Sequence, residues 1–167
     1  MLRILFILLY GVVCFKWGAW KRWKEFYPTI LYVIIGNLAY SYIYCNYPLW
    51  HYKGLWCHTI NDLAVAFLIY PCAVIVFLTH WPQRRLKQTA YILAWTAFHT
   101  LIEHISVLTG GFEHYGGWNI YWSAGMYIFI FALIRVHYRR PLIAWLISAA
   151  CSVLVAVVFG LPLESLK

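Results

Sequence analysis

The sequence predicts an all-α fold, a polytopic bundle of transmembrane helices, and three observations predict it. Hydrophobic residues make up 64% of the 167 and charged residues only 11%, against roughly a quarter charged in an ordinary soluble domain. The apolar residues fall into runs of the length that crosses a bilayer as a helix. The 10 Trp and 14 Tyr gather near the ends of those runs, where amphipathic rings sit at a membrane interface. With a mean hydropathy of +0.71, a water-facing surface would carry large apolar patches. Residues 1–167 read as one transmembrane helical domain.

Taken in order, the first run is the least certain in kind. Residues 4–15 are uncharged but span only about 18 Å at 1.5 Å per residue, and continuing to Trp20 gives about 25 Å if Lys16 snorkels. It is expected either to span or to lie in the interface. No small-residue cleavage site follows it, so it is expected to be retained. Further spans are expected over residues 26–45, 61–80, 88–110, 120–138 and 141–160. Pro71 should kink the third. The total is six spans, or five plus an interfacial N-terminal helix. Period-two alternation is absent, so the spans are not expected to be strands.

Charges between the runs alternate. Lys21, Arg22 and Lys24 precede the second run, Lys53 alone follows it, and Arg84, Arg85 and Lys87 come next. Glu113 stands in the fourth connection, then Arg135, Arg139 and Arg140 cluster around the fifth. The positive-inside bias places the clustered loops in the cytoplasm. Both termini then face out if the first run spans. The net charge of +8 lies in these clusters, with no nucleic-acid-binding motif or stripe. Anionic membrane lipids are the expected partners and nucleic acid is not.

Under this topology, polar residues of four runs share one depth in the outer half. Asn37, Ser41 and Tyr44 lie on the second run, His58 and Asp62 at the start of the third. Thr96, His99, Glu103 and Ser106 fall on one face of the fourth, and Asn119, Ser123 and Tyr127 descend on the fifth. A carboxylate in hydrocarbon costs several kcal/mol even on permissive scales, on the order of 3, so Glu103 must face protein, water, a metal or a cation, or else be protonated. Four residues before it, His99 could hydrogen-bond to it on one face. His104 points about 100° away.

His58 and Asp62 repeat the four-residue spacing, although Asp62 is equally well read as a helix-start residue. Two facing His-x-x-x-acid pairs, with His114 from the outer loop, would suit a divalent transition metal such as zinc. No His-Glu-x-x-His, nucleophile elbow or phosphate loop occurs. Gly116 and Gly117 would let the "FEHY" loop fold over the cavity. Cys14, Cys72 and Cys151 read as packing residues. Cys45 and Cys57 border one external loop, as a disulfide or as two thiols. Ala144, Ser148, Ser152 and Ala156 form a small-residue stripe for close packing within the bundle or against a second copy.

The chain resembles a group of short, uncharacterised multi-pass membrane proteins of endospore-forming Firmicutes. The likeness lies in "WKRWKEFYPTILYVIIGNLAYSYIY", "HTINDL", "HTLIEH" and "GWNIYWSAGMYIFIF". It implies a bacterial cytoplasmic-membrane setting and carries no activity with it.

Three functions remain open on the residues. The first is a membrane-embedded hydrolase or transferase acting on an amphiphilic or lipid substrate at an outward-facing site. His99, Glu103, Asp62 and His104 would catalyse, with Asn37, Asn119, Tyr127 and Ser123 around the substrate. The metal version would use His58, Asp62, His99, Glu103 and His114. The second is a small transporter or a proton- or metal-responsive component. The third is a structural assembly partner.

Overall fold

The computed structural model describes residues 2–53 and 58–161, and side chains over 5–53 and 59–161. Helix α1 runs Leu2–Trp17 and a 3-10 turn, Trp20–Arg22, leads into α2, Trp23–Ile43. Strand β1 is Trp50–Tyr52. Helix α3, His58–Ala64, continues through a π-turn, Val65–Ile69, into α4, Tyr70–Thr79. Then follow α5 (Arg85–Leu108), β2 (Phe112–His114), α6 (Ile120–Arg139) and α7 (Pro141–Val158).

Four stretches are long and apolar enough to cross a membrane: Trp20–Ile43, Thr59–Thr79, Ile120–Arg139 and Pro141–Val158. The other two expected spans do not meet both conditions. α1 has 16 residues, about 24 Å. α5 has 24, about 36 Å, but its His, Glu and N-terminal cations make it too polar to qualify.

The α3–α4 rod is the centre of the bundle. Every residue from 73 to 78 is buried, as expected of a helix that is apolar all round. Phe77, Val74 and Ile75 pack there with Phe26, Ile30 and Ile34 of α2 and Phe131 and Ile134 of α6. α7 lies at the edge, with Leu142, Leu146 and Val157 more than 70% exposed in the manner of a lipid-facing helix. Its stripe packs inward at Ala144, against Tyr32 and Leu133. Ser148 there hydrogen-bonds Tyr32.

The break expected at Pro71 takes the form of the π-turn. The Tyr70 N–H donates to Val65 O, five residues back. The wide turn falls beside the residue that has no N–H to give. Cys14, fully buried, meets Cys72 across the α1–α4 contact. Cys45 is exposed, and Cys57, the other half of the disulfide question, lies outside the described residues.

Beyond the all-α expectation, two of the connections form a short sheet. β1 and β2 pair antiparallel, Trp50 opposite His114, His51 opposite Glu113 and Tyr52 opposite Phe112. Each strand has three residues, too few for alternation to register, and 59 or more positions separate the partners. Tyr40 of α2 anchors the pair: its hydroxyl accepts from the Leu49 and Trp50 N–H groups, both at 3.0 Å, and its ring stacks on Trp50. Gly110 and Gly116, with φ of 70° and 58°, turn the chain into and out of β2 in the left-handed region that glycine tolerates.

Candidate functional site

Strand pleating sorts the side chains of this small sheet. Glu113 faces outward and pairs with Lys53 at 2.5 Å. Its carboxyl is held below the ordinary range by Lys53 first and then by the Tyr115 hydroxyl. His114 and Tyr52 turn the other way, toward the bundle.

There His114 meets Glu103. The imidazole Nε2–H donates to Glu103 Oε1 at 2.8 Å, and the Tyr127 hydroxyl donates to Oε2 at 2.6 Å. The Glu103 side chain is 4% exposed and that of His114 is 16%. Both carboxyl oxygens are thus satisfied from two different elements, β2 and α6, and this is how a carboxylate is accommodated inside a bundle. Among the described residues His114 Nδ1 makes no hydrogen bond, and the ring keeps an exposed edge.

Beside this pair lies a line of phenols. Tyr70 donates to Asn37 Oδ1 at 3.1 Å, so its oxygen accepts from Tyr52, to which it is hydrogen-bonded. Asp62 and Glu103 both lie within electrostatic reach of these two hydroxyls. Burial, then Tyr70, then the two carboxylates push the Tyr52 phenol well above its ordinary value. Asp62 accepts from Ser41 at 3.0 Å. Asn37 Nδ2 is buried and has no acceptor among the described residues.

Several expected site residues play other parts. His99 does not pair with Glu103. Its Nδ1 lies 2.9 Å from Trp95 O; a carbonyl only accepts, so Nδ1 carries the proton. Its Nε2 therefore accepts from the Tyr10 hydroxyl at 2.7 Å. Helical side chains lean toward the N-terminus, which carries the His99 ring back over Trp95 and away from Glu103. His104 is exposed and takes no part in the network. Asn119 caps α6, accepting from the Tyr121 and Trp122 N–H groups at 3.0 and 3.3 Å. Ser123 is buried and accepts from the Trp118 indole at 2.8 Å.

Tyr127 does stand in the site, but as a partner of Glu103. The His58 side chain lies outside the described ones. Among the described residues no three His, Cys, Asp or Glu side chains gather as a metal would require. Of the residues expected to hold a metal, His99 is turned toward Trp95 and Tyr10, Asp62 accepts from Ser41, and Glu103 accepts from His114 and Tyr127.

Beneath His99 the bundle is filled with rings. His99 packs on Trp95 and Phe131, centroids 5.6 and 4.9 Å away. Phe77 contacts Trp95, Phe131, Tyr91 and Trp81 at 5.2–5.6 Å.

Four stretches long and apolar enough to cross a membrane point to a helical membrane protein. Comparison with protein-family models, with curated proteins and with solved structures returns no match. The functional reading therefore rests on this geometry.

Proposed function

We propose that the protein is a membrane-embedded acid–base enzyme, a hydrolase or transferase acting on an amphiphilic substrate, with His114 as the general base and Glu103 as the carboxylate that orients it. The observation that carries this is the His114–Glu103 hydrogen bond with Nδ1 left over. A buried carboxylate on Nε2–H fixes the tautomer, aims the ring and stabilises the imidazolium that forms when Nδ1 takes a proton. Tyr127 holds the carboxylate from its other side. Asn37 Nδ2 offers a donor to a developing anion.

The setting proposed is a six-span bundle in a bacterial cytoplasmic membrane. α1 and α5 supply the two further spans, and the Arg- and Lys-rich loops face the cytoplasm. The β1–β2 sheet then lies on the outer side. Exposed Tyr47, Tyr121 and Trp122 around that end suit the aromatic belt of an interface. A reporter fused before Leu2 tests the arrangement, since a cytoplasmic N-terminus contradicts six spans.

The aromatic packing under His99 favours an enzyme over a transporter, because cargo leaving toward the basic end would have to pass through it. In the test, wild-type protein is reconstituted with a bacterial lipid extract and the lipids are followed by mass spectrometry. Time-dependent conversion of a lipid species, abolished by H114A and by E103Q but retained by H104A, is the expected result. An unchanged lipid profile with wild-type protein, or conversion that survives H114A, sinks the assignment.

A further inference from the structure

At the opposite end of α5 lies a second feature, a cavity of about 350 Å³ lined by Trp81, Arg85, Gln88, Thr89, Ala132 and Arg135. Two guanidinium groups in one small recess would ordinarily be matched by acids. Here all four described acids are engaged elsewhere. Glu25 is with Arg22 and Tyr138, Asp62 with Ser41, Glu103 with His114 and Tyr127, and Glu113 with Lys53. Among the described residues Arg135 has no counter-ion and is held by rings, its guanidinium 5.0 Å from the Trp81 ring and 5.5 Å from that of Tyr138.

Two further observations concern donors. The Trp81 Nε1–H is buried and has no acceptor among the described residues, a cost that an anion within its reach would relieve. Arg84, Arg85 and Lys87 crowd the start of α5, which has no acidic residue in its first turn. Cations at the positive end of a helix dipole repel it, so an anion in the recess relieves both the arginines and the helix.

We propose that this cavity binds the phosphate-bearing headgroup of an acidic phospholipid. Arg85 and Arg135 engage the phosphate oxygens as planar forks. Thr89 adds a hydroxyl, and Ala132 and the Trp81 ring provide the apolar wall along which an acyl chain leaves for the bilayer. A lipid, in place of a soluble anion, fits the position between membrane helices at the basic end, where the cytoplasmic leaflet carries acidic headgroups. The site is separate from His114 and Glu103, and its failure would leave that assignment standing.

The full chain, purified in neutral detergent, is offered phosphatidylglycerol against phosphatidylcholine, and bound lipid is counted by native mass spectrometry. Preferential retention of phosphatidylglycerol is expected, falling roughly fivefold for each of R85Q and R135Q. K87Q/R140Q removes twice the charge of either single variant, from outside the cavity, and should leave retention near wild type. Arg85 is exposed, so R85Q reads the site even where R135Q, which strips the stacked guanidinium from two rings, fails to fold. Equal retention of both lipids, an equal loss in K87Q/R140Q, or displacement of the lipid by millimolar inorganic phosphate overturns the proposal.

Discussion

Replacing Glu103 by alanine removes the acceptor for two hydrogen bonds at once. The side chain is 4% exposed, so no solvent steps in for His114 Nε2–H or the Tyr127 hydroxyl. Hydrogen bonds to a charged group contribute about 1.5–3 kcal/mol each, so the two sum to about 3–6 kcal/mol, and relaxation around the two neutral donors trims the upper end. The expected loss for E103A is therefore about 3–5 kcal/mol. At about 2–4 °C per kcal/mol for a chain of this size, melting should fall by roughly 6–20 °C.

E103Q separates stability from chemistry. Glutamine keeps the volume and one carbonyl acceptor, and Tyr127 can rotate to accept from the amide. The loss should shrink to about 1–2 kcal/mol while the orienting charge on His114 disappears. The assay is tryptophan-detected thermal unfolding in detergent for E103A, E103Q, H114Q and the E103Q/H114Q double variant. A double-variant cycle should give a coupling of about 1–3 kcal/mol. E103A melting with wild type, or a coupling near zero, would refute the claim that Glu103 is held by these partners.

Three further outcomes follow from the same geometry. N119A deletes the cap of α6 and should cost about 1 kcal/mol, read by the same melts; no change would mean the two amides find other acceptors. Y10F takes the donor from His99 Nε2 and should cost about 1 kcal/mol, with the His99 ring nitrogen shifting in 15N spectra. The Lys53–Glu113 pair makes the β1–β2 sheet pH-dependent. Glu113 is depressed below its ordinary 4.5 by Lys53 and then Tyr115, so its contribution is present above that value and is lost as pH falls through the lower folded one. Lys53 is raised above its ordinary 10.5 by Glu113, so its share is present below 10.5 and is lost as pH rises through the higher folded one. Amide exchange of residues 50–52 and 112–114, corrected for intrinsic rates, should quicken at both extremes in wild type; K53M should lose the alkaline effect and keep only the smaller acid effect that the Tyr115 hydroxyl supports.

Length and apolarity made the helices legible. Ile120 and Pro141 begin α6 and α7 where the sequence places them, and Gln88–Gly110 shifts only to Arg85–Leu108. Glu103 was legible as well, because an acid in an apolar helix has to be accommodated by something. Its partner was not. The four-residue rule made His99 the natural choice, but a ring that donates to its own preceding turn is unavailable to the next one. The true partner, His114, comes from a three-residue strand whose pairing with Trp50–Tyr52 is a long-range event that no local period encodes. Asn119 had a local signal: an Asn just before an apolar run is a helix-start residue. At that position the cap outweighed any role in the cavity.

The account rests on the two histidines holding opposite tautomers, one spent and one available. The most direct measurement is 15N NMR of histidine-labelled protein in detergent at about pH 8, above the ordinary histidine range. His114 is predicted to carry its proton on Nε2 with Nδ1 bare, and His99 on Nδ1 with Nε2 accepting. The His114 pattern should be lost in E103Q. A His114 protonated on Nδ1, or a spectrum indifferent to Glu103, would contradict the assignment of His114 as the base.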